Sequence, residues 1–169
     1  MSHDPTPLPY TDTKPVGAAD FYLAINATFR FIHNQLGRSG LHAYWTAMGT
    51  SYFAPVSRRW QSGGLAAIAD YWRAFFAAEP QAEVRVEQED DRVRLTVHRC
   101  PAIHHLREHQ REIVPYFCQH CYFIGEAMAR PAGFSLRVEG GNGACRQTFL
   151  RPSPTTPPQE LSLIEEVRC

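Results

Sequence analysis

Four cysteines, Cys100, Cys118, Cys121 and Cys145, are spread over the second half of the chain, and two of them flank a histidine in Cys118-Gln119-His120-Cys121. A thiolate is a soft, charged ligand that suits zinc or iron, and several thiolates held by different elements make a chelate. An imidazole set between two thiols adds either a nitrogen ligand or a group that carries protons near neutral pH. The same residues have a second use, as small buried hydrophobes. With Cys169 the cysteines number five, so a complete set of intrachain disulfides is excluded. The opening residues lack the basic and apolar regions of a signal peptide, and no apolar run is long enough to span a bilayer. A cytoplasmic chain with reduced thiols is expected, and there clustered cysteines serve metal binding or catalysis. Cys100, Cys118, Cys121 and Cys145 are the candidate ligands for zinc or iron. Cys118 is also a candidate nucleophile, if a helix N-terminus lowers its pKa.

More polar groups lie nearby. His104 follows Cys100 by four residues, one helical turn if a helix starts at Pro101. Like His120, it is a candidate nitrogen ligand or general base. His105 and His109 are expected to face solvent, and His98 to end a strand in a structural role. Arg137 and Arg146 are candidate forks for a substrate carboxylate, and Asn142 a candidate polar contact near the same turn. Glu126 is expected at the surface of the last helix.

Elements must exist to bring these residues together. Residues 1–16 are rich in Pro and Thr and read as an extended arm, draped over the domain or a partner, which leaves a homo-oligomer open. Phe21, Ile25, Thr28, Phe29, Ile32 and Leu36 mark one face of a helix over 18–36, with Gly37 as its C-cap. Gly49 and Pro55 divide the next stretch into two short helical pieces. A further helix covers 64–78 and stops at Pro80. The period then changes. "AEVRVEQ" and "RVRLTVH" alternate around Glu89-Asp90-Asp91, an antiparallel hairpin with one covered face. A helix opening at Pro101 and another over 119–129 precede a second hairpin, "GFSLRVEGGNGACRQTFLR", with Gly and Asn at its turn. A two-residue turn at Gly141-Asn142 or at Asn142-Gly143 puts Cys145 on the side of Phe134, Leu136 and Val138. The fold expected is α+β: helices packed on one face of a four-stranded antiparallel sheet made of two hairpins. The domain is expected to span 17–151, with a Pro-rich tail over 152–169.

Size and composition narrow the function. A chain of 169 residues forms one core and buries roughly 70% of its unfolded surface. Its 17 basic and 17 acidic residues cancel, and no basic run is present. Nucleic acid and anionic membrane are therefore not expected partners. A small molecule is.

The order of these features resembles the L-2-amino-thiazoline-4-carboxylic acid hydrolase family. The resemblance rests on Cys100-Pro101 at a strand end, Cys118 at a helix start, and the block "FSLRVEGGNGACRQTF". It covers residues 82–150. Where the family's block carries an acidic residue after the cysteine this chain has Arg146, and where the helix-start pair often reads Cys then Asp it has Cys121. The resemblance implies a hydrolase that opens a small sulfur–nitrogen ring, thiazoline- or thiohydantoin-like, at a C–N or C–S bond. A thiohydantoin would release hydrogen sulfide, a desulfhydrase reaction. Zinc would lower the pKa of a bound water to about 7, and a histidine would protonate the leaving group. The layout also looks like the small-molecule-binding domain of the 4-vinyl reductase type, a sensor or carrier with a structural metal.

Overall fold

The structure is a computed structural model that describes residues 18–153 and 155–168. The expected arm over 1–16 and Cys169 lie outside the described residues.

The first helix, α1 (Phe21–Ala47), is longer than its apolar stripe suggests. Gly37 adopts the left-handed φ of 66° expected of a C-cap, yet the chain turns back into helix immediately after it. The buried face is also rotated by about one residue. Phe21 and Leu36 are 68% and 65% exposed, whereas Asn26, Phe29, Leu41 and Trp45 are buried. A buried amide costs free energy unless it is hydrogen-bonded. Asn26 meets that need by donating to the Glu112 carbonyl at 2.9 Å, which anchors the loop leading to Cys118.

A π-helical turn, Met48–Tyr52, joins α1 to α2 (Ala54–Ala78). The break expected at Gly49 and Pro55 is thus a continuation. Pro55 lies in the first turn of α2, where its missing N–H is no loss. Gly49 is needed for close approach: a Cβ there would sit 2.6 Å from the Ile124 carbonyl oxygen. The helix expected to start at Gly64 is the second half of α2, which bends at that residue with φ 63°.

Both hairpins form as their alternation requires. Strands β1 (Glu83–Gln88) and β2 (Arg92–Arg99) make the first, and β3 (Ser135–Gly141) and β4 (Ala144–Leu150) the second. Antiparallel pairing of β2 with β4 merges them. The sheet is not the expected four-stranded antiparallel one. A fifth strand, β5 (Ile164–Glu165), pairs in parallel with β3, giving a mixed sheet of order β1-β2-β4-β3-β5. The stretch read as a tail therefore carries a sheet edge, and its Ile164 and Val167 are buried.

Helices α3 (Pro101–Glu108) and α4 (Gln119–Ala129) complete the helical layer. Val93, Leu95, Leu136, Val138 and Phe149 point from the sheet into it, together with Trp60, Ile68 and Met128. Each such side chain contributes roughly 1.5–3 kcal/mol when fully buried. The other face carries Arg85, Arg94, Arg137, Glu139 and Arg146, as one-sided burial of an alternating strand demands. Among the described residues no helix is long and apolar enough to cross a membrane.

Candidate functional site

Three separate stretches of backbone deliver the four cysteines to one end of the layered structure. Cys100 is the N-cap residue of α3. Its backbone N–H donates to the Gly143 carbonyl at 2.8 Å, which ties the end of the first hairpin to the turn of the second. That turn is Asn142-Gly143, the later of the two positions the sequence leaves open, with φ of 55° and 114°. Cys145 lies opposite Gly140 on one side and Val97 on the other, so it faces the helices. Cys118 is the N-cap residue of α4, and Cys121 sits in its first turn. The Asn142 N–H donates to Cys118 Sγ at 3.3 Å, closing the ring of elements.

The sulfurs act on one another electrostatically. Burial is the main cause that raises all four thiol pKa values. Cys100 and Cys121 are pushed up to about 11, Cys118 to about 12, and Cys145 higher still. For Cys100, Cys118 and Cys145 the next cause is the repulsion an ionised Cys121 would exert. Opposing groups favour the thiolates: the N–H groups of Ile103 and Ala102 at Cys100, those of Asn142 and Gly143 at Cys118, and the Gln147 amide at Cys121 and Cys145. Gln147 is buried, and its Nε2 lies 3.7 Å from Cys145 Sγ.

His120 is at the thiols and His104 is not. The His120 ring packs among Phe29, Phe117 and Trp45, and this burial lowers its pKa, so the imidazole is neutral. Its Nδ1 is 2.5 Å from the Phe117 carbonyl oxygen, which can only accept. The proton is therefore on Nδ1, and the Nε2 lone pair is directed at Cys121 Sγ, 3.6 Å away. His104 instead turns outward to Arg99 and to Glu108, 3.1 Å away.

The remaining candidates are dispersed. Arg137 and Arg146 alternate with the inward residues and lie on the far face of the sheet from the thiols. Arg137 donates to the Ser135 hydroxyl and to the Leu136 and Pro157 carbonyls. Arg146 pairs with Glu139 at 3.8 Å. The Asn142 side chain accepts from Arg107 and from the Arg168 N–H, so its contribution to the thiols is a backbone one. His98 is exposed. Glu126 is not at the surface as expected. It is buried and accepts from Arg130 Nε at 2.8 Å, from Ser135 and from the Leu136 N–H, which locks α4 to β3.

Two residues that motif reading missed belong here. The Tyr22 hydroxyl donates to Glu79, and the charges of Cys100 and Cys121 act on it. Burial, and then Glu79, push the phenol far up, so it stays protonated. Tyr22 shares a helical face with Asn26 and Phe29, and that spacing is the signal that could have found it. Glu79 ends α2 and carries no such mark.

The donor types are those a thiophilic metal takes, four thiols with amide donors at the sulfurs and a nitrogen lone pair beside Cys121, but no three of the sulfurs lie within 4.8 Å of one another. Two surface grooves, of about 300 and 460 Å³, lie elsewhere, one against β1 and the other beside Arg107 and Val167. No family model and no curated protein matches the chain.

Proposed function

We propose that the protein is a metal-thiolate hydrolase acting on a small sulfur- and nitrogen-containing ring. The observation that supports this reading is the gathering of Cys100, Cys118, Cys121 and Cys145 at one end of the layers, with a neutral His120 whose lone pair faces Cys121. Left without a metal, four such thiols are protonated and poorly nucleophilic. Burial holds the Cys118 thiol far above neutral pH and so protonated, which favours the metal reading over a direct cysteine nucleophile.

Cys100, Cys118, Cys121 and Cys145 are the ligand candidates for zinc or iron. A zinc tetrahedron with Zn–S bonds near 2.3 Å has edges of about 3.8 Å. No three of these sulfurs lie within 4.8 Å of one another, so binding needs side-chain rotation. When bound, the metal supplies a Lewis acid and a soft partner for a departing sulfur. His120 takes up a proton at Nε2 and returns it to the ring nitrogen or sulfur that leaves. Tyr22 gives its one O–H to Glu79, so it positions that carboxylate and offers the ring no donor of its own. Phe29, Trp45 and Phe117 limit water around the imidazole.

A second reading, a small-molecule sensor or carrier with a structural metal, has its own support. Four thiolates alone complete a tetrahedron and leave no open position, and neither groove includes a cysteine. One experiment separates the two readings. Untagged protein should hold about one thiolate-bound zinc or iron per chain, seen as thiolate-to-metal absorption after cobalt exchange, and cyclic thio-compounds should be turned over with release of sulfide. His120→Ala should keep the metal and lose about 10²–10⁴-fold in rate, the usual worth of a proton-transfer group. A metal-free active preparation would overturn the metal. Full metal with no turnover on any ring favours the structural site.

A further inference from the structure

A second group of donors stands apart from the thiols. Asp20, His105 and His109 are the only three His, Cys, Asp or Glu residues among the described ones whose ligand atoms all lie within 4.8 Å of one another. Asp20 is the N-cap residue of α1. His105 is in α3 and His109 caps its C-terminus, four residues on, so both imidazoles lie on one helical face. His109 is exposed as expected, but His105 does not simply face solvent. The His105 side chain is only 14% exposed, and the two rings are 4.1 Å apart between centroids.

Two features of the imidazoles point to a ligand. His105 Nε2 is buried and makes no hydrogen bond, although Asp20 Oδ1 is 3.5 Å away. A buried nitrogen without a partner costs free energy, and such an atom needs explaining. His109 Nδ1 lies 2.9 Å from the His105 carbonyl oxygen. That oxygen can only accept, so the proton is on Nδ1 and the lone pair is on Nε2. Metal-binding histidines are oriented in this way by a carbonyl on the other nitrogen. A tetrahedral zinc with bonds near 2.0–2.1 Å has edges of about 3.4 Å, close to the His105–Asp20 separation.

We propose that Asp20, His105 and His109 form a binding site for one divalent transition-metal ion of the zinc, cobalt or nickel class. Two imidazoles and a carboxylate suit these ions better than calcium or magnesium. Water fills the remaining position. The ion clamps the start of α1 to the end of α3, and Tyr22, whose ring packs on His105, lies in the clamped turn. The inference stands whether or not the thiols hold a metal.

Cobalt(II) tests it on the full chain. Wild-type protein should bind one equivalent that adds no thiolate-to-metal charge-transfer absorption, and zinc should displace it. His109→Ala should lose that equivalent, and Asp20→Asn should weaken it by at least about tenfold. Both residues are exposed, so both variants should fold, which circular dichroism checks. If both variants bind cobalt with the wild-type stoichiometry and midpoint, or if every bound equivalent carries the thiolate band, the site does not exist.

Discussion

The two ends of the β4–α4 layer use the same elements for opposite purposes. At one end Phe149 and Leu136 meet Trp60, Met128 and Ala129, all essentially inaccessible to solvent. At the other end the same strand and helix present Cys145, Cys118, Cys121 and His120, half-buried and rich in donors. Volume and shape decide the first end. In the second, small polarizable groups are aligned by backbone hydrogen bonds from Cys100 to Gly143 and from Asn142 to Cys118. A stiff apolar end thus leaves the donor end to be aligned by hydrogen bonds rather than by volume alone.

Three substitutions test this division, from the largest expected effect to the smallest. Cys145→Ser removes one of the proposed ligands, on the central strand β4. The thiolate-to-metal absorption of cobalt-exchanged protein should vanish and turnover should almost vanish, while circular dichroism of the variant matches that of metal-free wild type. If instead that absorption persists, Cys145 is packing only and the two ends are alike. Phe149→Ala should cost about 3–5 kcal/mol of stability by chemical denaturation, yet the folded fraction should bind metal with unchanged stoichiometry. Loss of metal from that fraction would show that the ends are not independent. Arg146→Ala, on the open face, should change stability by less than about 0.5 kcal/mol, because an exposed ion pair at 3.8 Å contributes little. Any large loss of activity there would return Arg146 to the substrate.

Alternation made the hairpins legible, because a half-buried strand must alternate. The same pleat put Cys145 on the helix side before any coordinate was known. The helix over 119–129 was also legible, and the structure forms it over Gln119–Ala129. Other features left weaker marks. Gly37 and Gly64 redirect a helix rather than end it, and a local conformational preference cannot tell those outcomes apart. β5 is two residues long, too short to alternate, and depends on an edge of β3 that is distant in sequence. Tyr22 and Glu79 meet only through the packing of α1 beside α2. His105 looked like a surface residue because Asp20 lies 85 positions earlier in the chain.

The β5 segment also bears on the order in which the molecule assembles. The Val167 N–H bonds to the Pro115 carbonyl just before Cys118, and the Arg168 N–H to Asn142, 26 residues away along the chain. Arg107 reaches the Arg168 carbonyl across 61 residues. Contacts of such separation carry the loop-closure entropy that slows folding. The hairpins and α4, which need only nearby partners, can form first, with the edge of β3 still unpaired. The residues that hold the Asn142 turn over Cys118 then arrive as a late-closing clasp. Until it closes, β3 is a bare edge open to intermolecular pairing, so shortening the chain before Ile164 should appear first as aggregation during refolding, ahead of any change in secondary structure.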